Sequence, residues 1–228
     1  LGNLALGLRL GRYFLPKAAL VQSGGLLGRY SVRGKLAHTA VALLLSCGVA
    51  AAQPARRIDI RFEALSAVKD STAGVVGQLS AELVRSTPAF VTAAGINDLY
   101  VVAASKIALQ RARSPAVRAF AHRMVEAHTG AIAKLKKTIR YNNVNAALPG
   151  AVDTRRRVML DDLRGARAEN FDHRYIAQQI AAHKETGILM RRYAKVGKIN
   201  AMRDFAAASG KAEAGHLALA QATDPRGR

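Results

Sequence analysis

The chain has one cysteine, Cys47, no tryptophan, and only 5% aromatic residues in a length of 228. A single cysteine builds neither a disulfide framework nor a cysteine-based zinc site. So few aromatics leave poor stacking platforms for single-stranded nucleic acid. Acids are scarce as well, 15 Asp+Glu against 35 Lys+Arg, for a formal charge of +20. That excess favours anionic partners such as membrane surfaces, lipopolysaccharide, nucleic acid or acidic polymers. No glycine-rich phosphate loop follows a strand pattern, and no nucleophile elbow or Cys–His pair is present. A conventional enzyme is therefore not expected. What the chain does have is apolar content, 50% of residues, enough for the core of one ordinary domain.

The first apolar run belongs to an address rather than to that core. Arg33 and Lys35 precede an apolar stretch from about Leu36 to Val49, and Ala50-Ala51-Ala52 follows before Gln53. A basic start, an apolar run too short to span a bilayer and an Ala-x-Ala site read as a secretory leader over 32–52. The expected location is the periplasm or the envelope. Leu44-Leu45-Ser46-Cys47 loosely resembles a lipoprotein box, so a lipid on Cys47 is the lesser alternative to release after Ala52. Residues 1–31 hold no acid, and no methionine precedes Met124. This reads as an over-extended, disordered start, with the true one near Val32 or Val21. Residues 1–52 carry six Lys/Arg and no acid, so 53–228 keeps a formal +14. No transmembrane helix is expected after the leader. Export opposes nucleic acid as a partner and leaves an anionic envelope surface or lipid. Residues 53–86 read as a flexible lead-in with one short helix near 75–85.

From residue 87 to 223 the periodicity is helical throughout, with a short tail at 224–228. Thr87-Pro88 and Ser114-Pro115 each set a capping residue before a proline, predicting helices over about 88–112 and 115–140 joined by a tight, antiparallel turn. An asparagine-rich break follows, then a short helix near 151–163. A long helix over 169–196 ends at Gly197, and a last one is capped by Asn200. The expected fold is all-α, four long helices in two antiparallel hairpins linked through a short helix.

Three of the long helices place one histidine each on the inward stripe. His128 follows Phe120 and Met124, His183 follows Ile176 and Gln179, and His216 follows Met202, Phe205 and Glu213. Asp98 lies on the corresponding seam of the first long helix. Counted from the first turn, Asp98 and His128 lie 16 and 14 residues away, the same height at about 1.5 Å per residue. Counted from the second turn, His183 and His216 lie 15 and 18 residues away. With both turns at one end, Asp98, His128, His183 and His216 share a layer, and Glu213 lies one turn from His216. Three imidazoles and a carboxylate in a dry core are costly unpaired and suit Zn, Fe, Cu or Mn. Each histidine reads first as a hydrogen-bonded core residue of an exported, non-enzymatic bundle acting in the cell envelope, and the metal-binding layer is the alternative. Runs such as Arg155-Arg156-Arg157, and Arg191, Arg192, Lys195 and Lys198, read as solvated basic clusters near helix ends.

The stretches "FVTAAGINDLYVVAASKIALQRA", "SPAVRAFAHRMVEAHT", "NFDHRYIAQQIAAH" and "GHLALA" resemble a bacterial family of exported proteins of unknown function. The family has a ferritin-like four-helix bundle and is often labelled as outer-membrane proteins. The resemblance spans about 88–222 and implies that fold outside the cytoplasm, without implying a reaction. The chain departs from the family pattern at Val101, where Glu is usual, at Ala127, where Asp precedes the histidine, and at Lys211, where Pro is usual. A ferritin-like di-iron centre needs several carboxylates, so the resemblance implies at most a mononuclear or vestigial site here. Asp172 and Tyr175 fit the family's fourth-helix opening, with Asp172 favourable near a helix N-terminus and Tyr175 packing.

Overall fold

The computed structural model describes residues 72–226. The expectations for 1–31, for the leader at 32–52 with Cys47, and for most of the lead-in lie outside them. The chain divides into two units, Leu1–Ala51 and Ala52–Arg228, and the described residues belong to the second. Among the described residues there is helix and no strand. α1 covers 72–83. It is followed by α2 (Thr87–Arg111), α3 (Pro115–Tyr141), α4 (Thr154–Gly165), α5 (Phe171–Val196) and α6 (Asn200–Thr223).

Local chemistry sets the helix ends and moves three of them from the expected places. Ser86, not Thr87, caps α2 by accepting from the Ala89 amide. Thr87 is the first helical residue, and its Oγ1 lies 2.6 Å from the Tyr193 hydroxyl. Pro88 tolerates either frame, because its missing N–H falls among the unsatisfied donors of the first turn. Ser114 caps α3 as expected. α4 starts at Thr154 rather than 151, because the Asp153 carboxylate accepts from the Arg156 amide at 2.7 Å. Asn200 is inside α6, behind Ile199, and does not cap it. α3 ends where Asn143 takes φ 48° and the Val144 amide bonds the Ile139 carbonyl at 3.0 Å. Asparagine tolerates that left-handed position better than most residues.

α2 packs along α3, and α5 along α6, across connections too short for anything but antiparallel neighbours. α2 also lies against α5, α3 against α6, and α4 against α2 and α5. Tyr100 donates to Gln178 Oε1 at 2.8 Å, and the hydroxyls of Ser105 and Tyr175 are 2.8 Å apart. Together with Thr87–Tyr193, these contacts run α2 and α5 in opposite directions. The α2–α3 turn therefore meets the start of α5, where Asp172 accepts from the amides of Arg113 and Ser114 at 3.0 and 2.7 Å. Asp172 thus ties one hairpin to the other and is more than a favourable charge at its own helix. It also corrects the premise that both hairpin turns lie at one end, since the α5–α6 turn is at the far end of α5.

The core falls into two apolar clusters. One contains Tyr100, Val101, Phe120, Met124, Leu163, Phe171 and Tyr175. The other contains Phe90, Leu135, Met190, Tyr193, Met202 and Phe205, with Phe90 and Tyr193 stacked at 3.8 Å between ring centroids. Along α3 the first cluster stops at Met124 and the second resumes at Leu135, and His128 lies between them. The connection before α4 also closes on the bundle tightly. A Cβ at Gly95 of α2 would come 2.6 Å from Pro149 Cδ, so only glycine lets that segment cross there.

Candidate metal centre

Between the two apolar clusters lies a polar layer built from four helices. α2 supplies Asp98, α3 His128, α5 His183, and α6 both Glu213 and His216. All except half-buried His216 are buried. The layer forms despite the opposed turns because α2, α3, α5 and α6 are 24 to 27 residues long. A residue near the middle of such a helix reaches the same height whichever end the count starts from.

Two carboxylates hold two of the rings. His128 Nδ1 lies 2.8 Å from Asp98 Oδ1, and His183 Nδ1 lies 2.8 Å from Glu213 Oε2. A carboxylate beside Nδ1 makes that nitrogen the donor and leaves Nε2 with its lone pair. Both Nε2 atoms are buried without a partner, and so is Nδ1 of His216. The three rings face one another in a nearly equilateral triangle, with centroids 5.4, 5.3 and 5.4 Å apart. One donor atom each from His128, His183, Glu213 and His216 lies within 4.8 Å of the others. Asp98 stands outside that set, behind His128.

Electrostatics favours a free lone pair most clearly at His216. Burial presses the His216 pKa down to about 4, helped by His128, His183 and Arg123 and opposed by Glu213. His216 is therefore neutral at ordinary pH and keeps a free lone pair. Burial would also lower His128, but the Asp98 hydrogen bond and the charges of Glu213 and Asp98 outweigh it and raise its pKa. Burial raises Asp98 more than His128 lowers it, and with His128 also raised an ion at His128 Nε2 has to compete with a proton. Burial would raise Glu213 too, yet the hydrogen bond from His183 and the nearby imidazoles keep it below its usual value.

Of the expected residues, the structure brings His128, His183, His216 and Glu213 together and sets Asp98 as the acceptor behind one of them. Val101 is buried in the apolar cluster beside the layer and Ala127 is half-buried, so neither adds a carboxylate. The basic run in α4 differs from its expectation. Arg156 is buried, donating to Asn97 Oδ1 at 2.9 Å and Glu185 Oε1 at 3.0 Å, with its guanidinium over the Tyr100 ring. Arg155 meets both oxygens of the same Glu185 and the Ala73 carbonyl. Two residues of that cluster therefore staple α4 to α1, α2 and α5. No sequence period marks Arg156, because its burial depends on where α4 docks.

No curated protein and no solved structure matches the chain. A family model described as a domain of unknown function (DUF4142) matches residues 76–223, from within α1 to the end of α6, and the chain belongs to that family.

Proposed function

We propose that this protein binds one divalent transition-metal ion through His128 Nε2, His183 Nε2 and His216 Nδ1. Asp98 and Glu213 act as the acceptors that aim two of the imidazoles. The observation that carries the reading is the ring triangle with three unpartnered inward nitrogens. With metal–nitrogen bonds of about 2.0–2.1 Å, rings of about 1.15 Å from nitrogen to centroid and tetrahedral angles, three ligating imidazoles have centroids about 5.3 Å apart. The observed centroid separations of 5.3 and 5.4 Å match that value. An unpaired polar layer dividing an apolar core is costly, and an ion removes the cost.

Charge and donor type narrow the ion. The two buried carboxylates balance a divalent cation. A mainly nitrogen donor set suits Zn, Cu, Fe or Mn over the oxygen-seeking Ca and Mg. Three protein nitrogens leave a fourth position open, beside the Glu213 carboxylate or for a small exogenous ligand. The reading extends to a mononuclear variant of a ferritin-like four-helix bundle. It is supported by the two antiparallel hairpins and by the mid-core layer that receives residues from all four long helices. It extends also to export, supported by the basic start, the apolar run Leu36–Val49 and the Ala-x-Ala site before Gln53. N-terminal sequencing of protein recovered from an exporting host tests that part, and a chain that retains residues 32–52 would refute it.

Isothermal titration of the metal-free protein with Zn, Cu, Mn, Ca and Mg salts tests the metal reading. One equivalent of a transition metal is expected, with no uptake of Ca or Mg. His183→Ala, in a protein that keeps its helical circular dichroism, is expected to abolish stoichiometric uptake. Uptake unchanged by His183→Ala, or no uptake at all, would refute the site.

A further inference from the structure

α1 is packed the wrong way round for a helix of a globular core. Its small residues Gly74, Gly77 and Ala81 are buried, while Val75, Val76, Leu79 and Leu83 are 57%, 48%, 63% and 72% exposed. The inward face reaches α5 closely. A Cβ at Gly74 would lie 3.2 Å from Ala181 Cβ, and one at Gly77 would collide with the Glu185 carboxylate and the Arg155 guanidinium. Arg192 pairs with Glu82 at 3.4 Å. Contacts rise together along both helices, from Gly74 with Ala181 through Gly77 with Glu185 to Glu82 with Arg192, so α1 runs parallel to α5.

Beside this aliphatic stripe α5 exposes a cationic one. Lys184, Arg191 and Lys195 are exposed at spacings of seven and four residues, one face of a helix. Lys184 and Arg191 line one hollow of about 230 Å³ with Gln78. Arg191 and Lys195 line another with Glu82 and the half-exposed Val196. The nearby acids Glu82 and Glu185 are each taken up by arginines.

We propose that this face docks on an anionic lipid bilayer, with Val75, Val76, Leu79 and Leu83 entering the interface and Lys184, Arg191 and Lys195 lying over the headgroups. An aliphatic ridge bordered by cations is the pattern of interfacial helices, and the cations select anionic lipid. A second copy fits less well. A helix of 12 residues is about 18 Å long and about 10 Å across, so its exposed face offers on the order of 200–300 Å², short of the roughly 800 Å² per partner that a stable interface needs, and pairing would bring two cationic stripes together.

The test uses the full chain with an environment-sensitive thiol probe at Leu79→Cys in a Cys47→Ser background, so that the readout is local to α1. Vesicles of mixed phosphatidylglycerol and phosphatidylcholine are expected to shift the probe emission to the blue. Pure phosphatidylcholine should not, nor should anionic vesicles at about 1 M salt, where the Debye length is about 3 Å. Lys184→Glu/Arg191→Glu/Lys195→Glu is expected to weaken partitioning by about 100-fold or more, while far-ultraviolet circular dichroism is unchanged. A probe at Thr129→Cys on α3 is expected to stay aqueous throughout. The proposal is overturned by aqueous emission at position 79 in anionic vesicles at low salt. A blue shift without vesicles overturns it too, assigning the stripe to a second copy if the shift grows with protein concentration and to the chain's own residues if it does not.

Discussion

Among single residues, the proposed metal site depends on atoms that would never touch the ion. Asp98 accepts from His128 Nδ1, and replacing it with asparagine keeps the shape but removes the charge that fixes the tautomer. Asp98→Asn is expected to weaken metal binding by about 10- to 100-fold with the helical content retained, as read by competition against a chromogenic chelator. Tyr175→Phe makes the opposite separation. It removes the buried hydroxyl that pairs with Ser105, in the apolar cluster next to the layer, and leaves Ser105 Oγ without that partner. A loss of about 1–3 kcal/mol in urea unfolding is expected, with metal affinity unchanged. The three histidines were legible in the sequence because each continues an apolar stripe at helical spacing. Their nitrogen chemistry was not, because which carboxylate stands behind which ring depends on how the hairpins meet. Asp98 and Glu213 read in the sequence as candidate ligands; in the structure each meets an imidazole Nδ1, and Glu213 also offers an oxygen to the four-residue donor group while Asp98 stands outside it.

Single helices carry a second set of consequences. Helix positions were legible to within a few residues from Ser-Pro, asparagine and glycine punctuation, and the departures at Thr87, Ala151 and Asn200 are matters of which side chain reaches the first free amides. The direction of packing was less legible. Asp172 looked like an ordinary acid in a first turn, yet it bonds two amides of the α2–α3 turn and so fixes that turn against the start of α5. Asp172→Ala leaves both amides unmet and is expected to cost about 1–3 kcal/mol, seen as a lower urea midpoint with an unchanged slope. α1 offers a sharper test, because its attachment rests on the absence of a side chain at Gly77. Gly77→Val is expected to release α1 from α5, making residues 72–86 the first site of limited proteolysis while the histidine layer keeps its metal affinity.

For the molecule as a whole, the described residues hold an apolar core divided by a polar layer. Stability and ion binding are then coupled, because an ion that binds the folded chain alone stabilises it by mass action. At about a thousandfold excess over the dissociation constant the gain is about 4 kcal/mol, so metal is expected to raise the midpoint of thermal unfolding by several degrees. Chelation should reverse the shift, and His183→Ala should erase it. No helix among the described residues is long and apolar enough to cross a membrane. The overall charge was readable from composition and the exposed cluster at Arg191 and Lys195 from the sequence, but the inward turn of Arg155 and Arg156 was not. Arg155 and Arg156 turn inward to Glu185, while Lys184, Arg191 and Lys195 form the exposed stripe. X-ray absorption at the edge of a stoichiometrically bound ion reads the donor set itself. A four-coordinate shell with the multiple-scattering signature of three imidazoles at about 2.0–2.1 Å is expected. A shell of oxygen atoms alone, or one imidazole or none, would contradict it.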